Sequence, residues 1–229
     1  MKYDILLFDA DNTILDFDKA EESALKQAFA ETKLHYDGDV LSVYRRNNMK
    51  QWRLFEQGLI KNKSEVLSSR FVETFKELGI ADDCAPTAEL YEKYLHNGFY
   101  VIRNAESVLQ HLQNLDCRLY LVSNGVLSIQ NSRMKGSGMD KYFLKRFVSE
   151  AVGVPKPNKT YFDYCFANIE NFDIAKTLII GDSLTSDIQG GINVGIDTCW
   201  YNPRHYEKNV EISPTYEIDD LEQLIKIVS

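Results

Sequence analysis

The sequence has few of the features that mark secreted or membrane-spanning proteins. Its cysteines, Cys84, Cys117, Cys165 and Cys199, lie far apart and form no CxxC pair. We therefore expect free thiols rather than a disulfide framework or a zinc site. No apolar run approaches the length of a membrane span, and the N-terminus lacks the pattern of a signal peptide. These absences predict a cytoplasmic protein.

Basic residues are also fewer than acidic ones. The 229 residues carry 26 Lys and Arg against 34 Asp and Glu, which gives a formal net charge of -8. This balance argues against a nucleic acid polymer or an anionic membrane as the main partner, but it permits a small phosphorylated ligand held by a few local cations. A hydrophobic content of 44% is typical of a folded chain, and the length suits one domain or one domain with an insert.

The stretch Ile5–Thr13 combines an apolar run with acidic residues at its end. Four apolar residues in a row predict a strand that is buried on both faces of a parallel sheet. Asp9, Asp11 and Thr13 follow, at the edge of the sheet where open α/β proteins bind ligands. Two neighbouring carboxylates repel unless a cation or a proton lies between them, so this edge is a candidate metal site. An ordinary polar turn is the alternative.

Residues 16–98 show helical periodicity and no convincing strand. Four helices are predicted, near 20–29 and over 40–57, 64–78 and 86–97. Four helices exceed what a crossover needs, so we expect an inserted helical domain at 16–98 within an α/β core domain formed by 1–15 and 99–229. In the second part of the chain, strands predicted at 118–122, 147–149, 177–180 and 198–201 alternate with helices. That alternation predicts a Rossmann-like parallel sheet with right-handed crossovers.

Polar residues follow the later strands as well. Ser123 and Asn124 offer neutral donors, and two prolines flank Lys156 and hold its charge in position. Asp182 and Asp187 lie in a hydroxyl-rich loop after the strand at 177–180. Structural alternatives are helix caps for Ser123, Asn124 and Asp187, and a surface loop for Lys156. Together, carboxylates without His or Cys suit Mg²⁺, and a cation with a lysine and neutral donors suits a phosphoryl group.

The order of these residues resembles the four motifs of the haloacid dehalogenase-like (HAD) superfamily of phosphohydrolases. The matching segments are Asp9-Ala10-Asp11-Asn12-Thr13, Ser123-Asn124, Lys156-Pro157 with Phe162, and Gly181-Asp182 through Asp187. The helical insert is similar to the four-helix cap of the C1 type. More narrowly, 181–191 and 200–203 resemble the YjjG/YfnB group, whose members are pyrimidine nucleoside 5′-monophosphate phosphatases.

The resemblance implies a Mg²⁺-dependent phosphomonoester hydrolase that acts through an aspartyl-phosphate intermediate on a small phosphorylated metabolite, a pyrimidine nucleoside monophosphate. Asp9 would be the nucleophile, and Asp11 would be the general acid and base. The resemblance also assigns the binding residues: Thr13, Ser123, Asn124 and Lys156 for phosphate, Asp9, Asp11 and Asp182 for the metal, and Asp187 as support. Because Asp11 supplies a proton that a halide leaving group does not need, dehalogenation is not expected.

Several alternatives remain open. A sugar-phosphate phosphatase or a phosphomutase would share the four motifs and the cap, and a non-catalytic phospho-acceptor protein would share the acids and the lysine. In the cap, Asn48, Trp52 and Arg53 are candidate substrate contacts, although Trp52 also suits the interior of the cap. We expect a monomer or a weak homodimer.

Overall fold

The computed structural model describes residues 1–207 and 211–229, and the chain divides into two compact units. The first unit is formed by Met1–Phe17 together with Phe99–Ser229, and the second by Asp18–Gly98. In the described part of the chain, no helix is long and apolar enough to cross a membrane.

The second unit is helical, as predicted. It holds α1 (Phe17–Glu31, whose first residue belongs to the first unit), α2 (Gly38–Glu56), α3 (Lys63–Glu77) and α4 (Ala85–Leu95). The carboxylate of Asp37 accepts hydrogen bonds from two backbone amides in the first turn of α2, and it thereby caps that helix. The aromatic rings of Tyr44, Phe71 and Tyr91 pack together from three helices, with centroids 5.0 to 5.4 Å apart.

The first unit contains a sheet of six parallel strands in the order β3-β2-β1-β4-β5-β6. The strands are β1 (Ile5–Phe8), β2 (Arg118–Ser123), β3 (Lys145–Val148), β4 (Thr177–Gly181), β5 (Asp197–Tyr201) and β6 (Tyr216–Ile218). The predicted parallel sheet is therefore confirmed, and β6 is an additional edge strand. The chain order of the strands reverses between β1 and β4, which is the place where open α/β sheets bind ligands.

Helices cover both faces of this sheet. They are α5 (Ala105–Asn114), α6 (Leu127–Gly136), α7 (Ser149–Val152), α8 (Lys159–Ala167), α9 (Gln189–Val194) and α10 (Leu224–Val228). Side chains alternate between the two faces of each strand. In β1, Leu6 and Phe8 pack in the cluster that includes α5 residues, while Ile5 and Leu7 pack in the cluster that includes α8 residues. All four are completely buried, which is why the strand is apolar at every position.

Candidate active site

The strand register places two acidic loops side by side. Phe8 at the end of β1 is opposite Leu121 of β2 on one side and Ile180 of β4 on the other. The backbone amide of Asp9 donates a 2.8 Å hydrogen bond to the carbonyl of Ile180, so the ladder extends one residue past β1. Asp9 therefore leaves the sheet beside Gly181-Asp182, next to the reversal of strand order.

Lys156 joins the two acidic loops. Its side chain is only 1% exposed, and its Nζ lies 2.6 Å from Asp9 Oδ1 and 2.6 Å from Asp187 Oδ1. The third ammonium proton is donated to the carbonyl of Val122 at 2.9 Å. Because an ammonium group has three protons, every donor of Lys156 has an acceptor, and the charge is held in one place.

Asn124 fixes the backbone that carries this lysine. Its amide nitrogen donates to the Lys156 carbonyl at 3.0 Å, and its amide oxygen accepts from the Lys156 backbone N–H at 2.8 Å. Sequence reasoning treated Asn124 as a neutral donor to phosphate and missed this two-point contact. Ser123, also predicted to bind phosphate, is 1% exposed, and its Oγ accepts a 3.0 Å hydrogen bond from the amide of Gly125.

Thr13, the last residue of the first motif, lies in the protein interior. Its side chain is completely buried, and within the described residues its Oγ1 has no hydrogen-bond partner. Thr13 lies within the turn formed by residues 12–14, which a 2.7 Å hydrogen bond from the Asn12 amide to the Leu15 carbonyl closes. Its assignment to phosphate binding stays a prediction.

Asp187 occupies a space that only glycine leaves open. A single π-helical turn, Leu184–Ile188, carries Asp187 before α9 begins, and the side chain is 1% exposed. A Cβ atom built on Gly181 would lie 2.2 Å from Asp187 Oδ2, far inside van der Waals contact. The same oxygen accepts a 3.2 Å hydrogen bond from the amide of Ser183. The Asp187 carboxylate therefore packs against Gly181 at the end of β4, in a position to form its ion pair with Lys156.

Asp9, Asp182 and Asp187 form one carboxylate cluster. Each offers an oxygen, and these oxygens all lie within 4.8 Å of one another. Burial raises the pKa of Asp9 to about 8, in spite of the opposing effect of the Lys156 charge. Burial, followed by the neighbouring Asp9 and Asp187 charges, raises the pKa of Asp182 well above its usual value. The same two acids that Lys156 contacts raise its pKa against the lowering effect of burial.

The composition of this cluster fits a divalent cation. Three carboxylates and one ammonium group leave a net negative charge in a confined space, and the neighbouring acidic charges add to the effect of burial in raising the pKa values of Asp9 and Asp182. Within the described residues the cluster contains oxygen ligands and no sulfur or imidazole. Hard oxygen ligands of this kind suit Mg²⁺.

Asp11 is held by two side chains that sequence reasoning did not identify. Gln130 donates its amide hydrogen to Asp11 Oδ2, and Arg133 forms an ion pair with Asp11 Oδ1. Both come from α6, one turn apart. The only available signal was their spacing of three residues on a helix that starts just after the Ser123-Asn124 loop. Without the contact to Asp11, such polar residues read as a solvent-exposed helix face.

The three candidate substrate contacts in the helical unit differ from one another in burial. Asn48 is 7% exposed; its amide nitrogen donates to Glu21 at 3.0 Å, and its oxygen accepts from Arg70 at 3.2 Å. Trp52 is half-buried, with its ring edge-to-face with Phe55 at 5.9 Å. Arg53 is exposed. Their contact with substrate stays a prediction.

Comparisons with known proteins identify the family of this chain. A model of the family described as haloacid dehalogenase-like hydrolase matches residues 6–201. The HAD-hydrolase YfnB of Bacillus subtilis (strain 168) is 42% identical over 228 residues, covering 100% of this chain and 96% of that protein. The pyrimidine 5′-nucleotidase PynA of Streptococcus pneumoniae (strain ATCC BAA-255 / R6) is 38% identical over 225 residues, covering 98% and 94%.

A solved structure extends the match to three dimensions. The crystal structure of Bacillus subtilis YfnB bound to magnesium superposes with a TM-score of 0.94 over 100% of both chains, at 42% identity. The family expected from the four sequence motifs is therefore confirmed. This chain belongs to the haloacid dehalogenase-like hydrolase family.

Proposed function

We propose that this protein is a Mg²⁺-dependent phosphatase that hydrolyses pyrimidine nucleoside 5′-monophosphates through an aspartyl-phosphate. The observation that carries the proposal is the contact of one buried lysine with two acids, at 2.6 Å each, beside a third carboxylate. The net negative charge of this cluster suits a divalent cation, and a cation beside a lysine suits a phosphoryl group. The names of the relatives supply the substrate class, because PynA is a pyrimidine 5′-nucleotidase.

In the first step, an oxygen of Asp9 attacks the phosphorus atom and the ester bond to the nucleoside oxygen breaks. Asp11 gives a proton to that departing alkoxide. The phosphoryl group is then attached to Asp9, whose Oδ1 is 2.6 Å from Lys156 Nζ, so the ammonium lies within reach of the phosphoryl oxygens. We assign Thr13, Ser123 and Asn124 to the same oxygens, where charge accumulates during transfer.

In the second step, Asp11 removes a proton from water, which attacks the phosphorus of the aspartyl-phosphate. The bond between phosphorus and Asp9 breaks, and inorganic phosphate leaves. Asp9, Asp182 and the Asp11 backbone carbonyl would hold Mg²⁺, with Asp187 in support. When bound, the ion supplies positive charge that keeps Asp9 ionised and draws the anionic phosphate to it.

We further propose that Asp18–Gly98 acts as the cap over this site. Exclusion of water from the first step would protect the ester from competing reactions and strengthen the electrostatic interactions inside. The family resemblance of the four helices supports this role. The YfnB crystal structure with magnesium is described as revealing interdomain movement, which is the kind of motion that a cap requires.

The test is phosphate release from a panel of substrates with MgCl₂ and with EDTA. The panel contains uridine, cytidine and thymidine 5′-monophosphates, their purine counterparts, glucose 6-phosphate and p-nitrophenyl phosphate. We expect kcat/KM to be at least about tenfold higher for pyrimidine than for purine or sugar substrates, equivalent to about 1.4 kcal/mol of discrimination. EDTA and Asp9→Asn should abolish turnover.

The control variant is Asp163→Asn, which removes an exposed carboxylate that is 2.6 Å from Lys159 on α8. It should retain full activity. Preference for glucose 6-phosphate would favour the sugar-phosphate alternative, and formation of an isomeric sugar phosphate without phosphate release would favour a mutase. A stable phosphorylated Asp9 without turnover would favour the phospho-acceptor alternative. Any of these outcomes would overturn the proposal.

A further inference from the structure

Two polar residues of α6, Gln130 and Arg133, converge on the carboxylate of Asp11. Gln130 donates to Oδ2 and Arg133 donates to Oδ1, so each oxygen accepts one hydrogen bond from a different side chain. Two contacts on the two oxygens fix both the position and the rotation of the carboxylate. Each carboxylate oxygen has two lone pairs, so a second lone pair on each remains for another group.

Arg133 is unusual because its side chain is 0% exposed, whereas that of Asp11 is 27% exposed. A charged side chain is almost never fully buried unless it is paired. On the other side, its guanidinium carbon lies 5.4 Å from the centre of the Phe17 ring, which is a cation–π distance. The arginine is therefore held between an aromatic ring and Asp11, with little freedom to move.

The local sequence is arranged to bring Gln130 to Asp11. Gln130 is 2% exposed and lies one turn before Arg133, so both side chains lie on one face of α6. Gly125 makes space for it: a Cβ atom at this position would lie 2.3 Å from Gln130 Nε2. A residue larger than glycine there would displace the amide that contacts Asp11.

From this geometry we infer that Gln130 and Arg133 are positioning residues that hold Asp11 at the leaving-group oxygen. The inference rests on the proposed function, in which Asp11 donates a proton to the departing alkoxide. A general acid must lie within hydrogen-bond reach of the atom that it protonates. A misplacement of about 1 Å is enough to reduce the rate about 100-fold, so the two contacts have a direct kinetic consequence.

The test compares two substrates that differ in their need for a proton. The leaving group of uridine 5′-monophosphate is an alkoxide, which requires protonation, whereas p-nitrophenolate departs without it. We expect Gln130→Met and Arg133→Met to reduce kcat/KM for uridine 5′-monophosphate by about 10- to 100-fold, within the range that general acids contribute. For p-nitrophenyl phosphate the reduction should be smaller than about threefold. Arg133→Lys, which keeps the charge, should recover part of the loss.

Arg146→Met is the matched control. Arg146 also forms an ion pair with an aspartate, Asp140, but it lies on the edge strand β3, which β2 separates from β1 and Asp9. Its variant should leave both kcat/KM values unchanged. Activity on p-nitrophenyl phosphate reports whether each variant is folded, and Gln130→Met tests the inference even if the loss of the buried arginine prevents folding.

The outcomes separate this inference from the function on which it rests. An equal loss on both substrates would show a structural role for the two residues and would overturn the inference. Variants with wild-type kcat/KM for uridine 5′-monophosphate would also overturn it. In either case, wild-type turnover that depends on Asp9 would leave the proposed phosphatase intact. A wild-type chain that hydrolyses neither substrate would overturn the proposed function and the inference together.

Discussion

Replacement of Gly181 by alanine tests whether the packing of Asp187 against β4 holds the charged cluster together. The added Cβ would lie 2.2 Å from Asp187 Oδ2, 2.3 Å from its Cγ and 2.7 Å from its Cβ. Rotation of the Asp187 side chain about its Cα–Cβ bond can remove the first two contacts but not the third, so the backbone of the π-helical turn must also move. That movement separates Asp187 from Lys156 Nζ, now 2.6 Å away.

The expected cost has two parts. Overpacking of a buried position costs about 1–3 kcal/mol, and the loss of a hydrogen bond to a charged group costs about 1.5–3 kcal/mol. The sum, roughly 2.5–6 kcal/mol, corresponds to a fall in Tm of roughly 5–24 °C for a chain of this size. Thermal denaturation followed by circular dichroism measures it.

Gly38→Ala is the control for the Gly181 variant. Gly38 begins α2, and a Cβ atom there would have nothing within 4 Å. Its Tm should change little. The Asp187→Ala background provides a second check, because it removes two of the three close atoms, and Gly181→Ala should then cost less. A Gly181→Ala protein with wild-type Tm, or an equal cost in both backgrounds, would refute the argument.

Two further predictions concern charge. Mg²⁺ at 100 times its Kd should raise the free energy of unfolding by about 2.7 kcal/mol. Asp182→Asn should abolish this increase, and an equal increase in the variant would show that the ion binds elsewhere. Burial raises the pKa of Glu21, so the folded state binds a proton at this carboxylate more tightly than the unfolded state does. Protonated Glu21 therefore contributes stability at low pH, and this contribution is lost as pH rises above 4.5, the ordinary pKa of the group. Urea titrations should therefore show Glu21→Gln gaining stability relative to wild type as pH rises. Glu106→Gln should show the opposite trend, because hydrogen bonds from Lys141 and Tyr142 lower the pKa of Glu106; parallel trends would contradict the prediction.

Sequence reasoning identified the sheet because its evidence is local. β1 is apolar at all four positions, and such a run predicts a strand buried on both faces without knowledge of its neighbours. The edge strand β6 lacked this evidence: it has three residues, Tyr216, Glu217 and Ile218, and three residues are too few to show a period. The position of Lys156 between two prolines indicated a fixed charge, but its partners could be inferred only from the order of the strands.

The residues that sequence reasoning missed have the opposite character. Gln130 and Arg133 are polar residues in a short helix, and polarity normally predicts exposure. Their burial depends on Asp11, which is 119 and 122 positions away along the chain, so no local pattern reports it. Asn124 shows the same limit, because its role as a clamp depends on the backbone of a residue 32 positions away.

These contacts share a physical cause. A carboxylate at the end of a buried strand loses much of its hydration, and burial raises the pKa of Asp9 to about 8 for this reason. The fold can keep such groups only if other residues supply charge or hydrogen bonds, as Lys156 does for Asp9 and Asp187, and as Arg133 does for Asp11. Each of these cations is itself almost completely buried, so it is stable only beside its acid. The acids and the cations therefore require each other, and a substitution that removes one member should disturb its partner before it disturbs the rest of the fold.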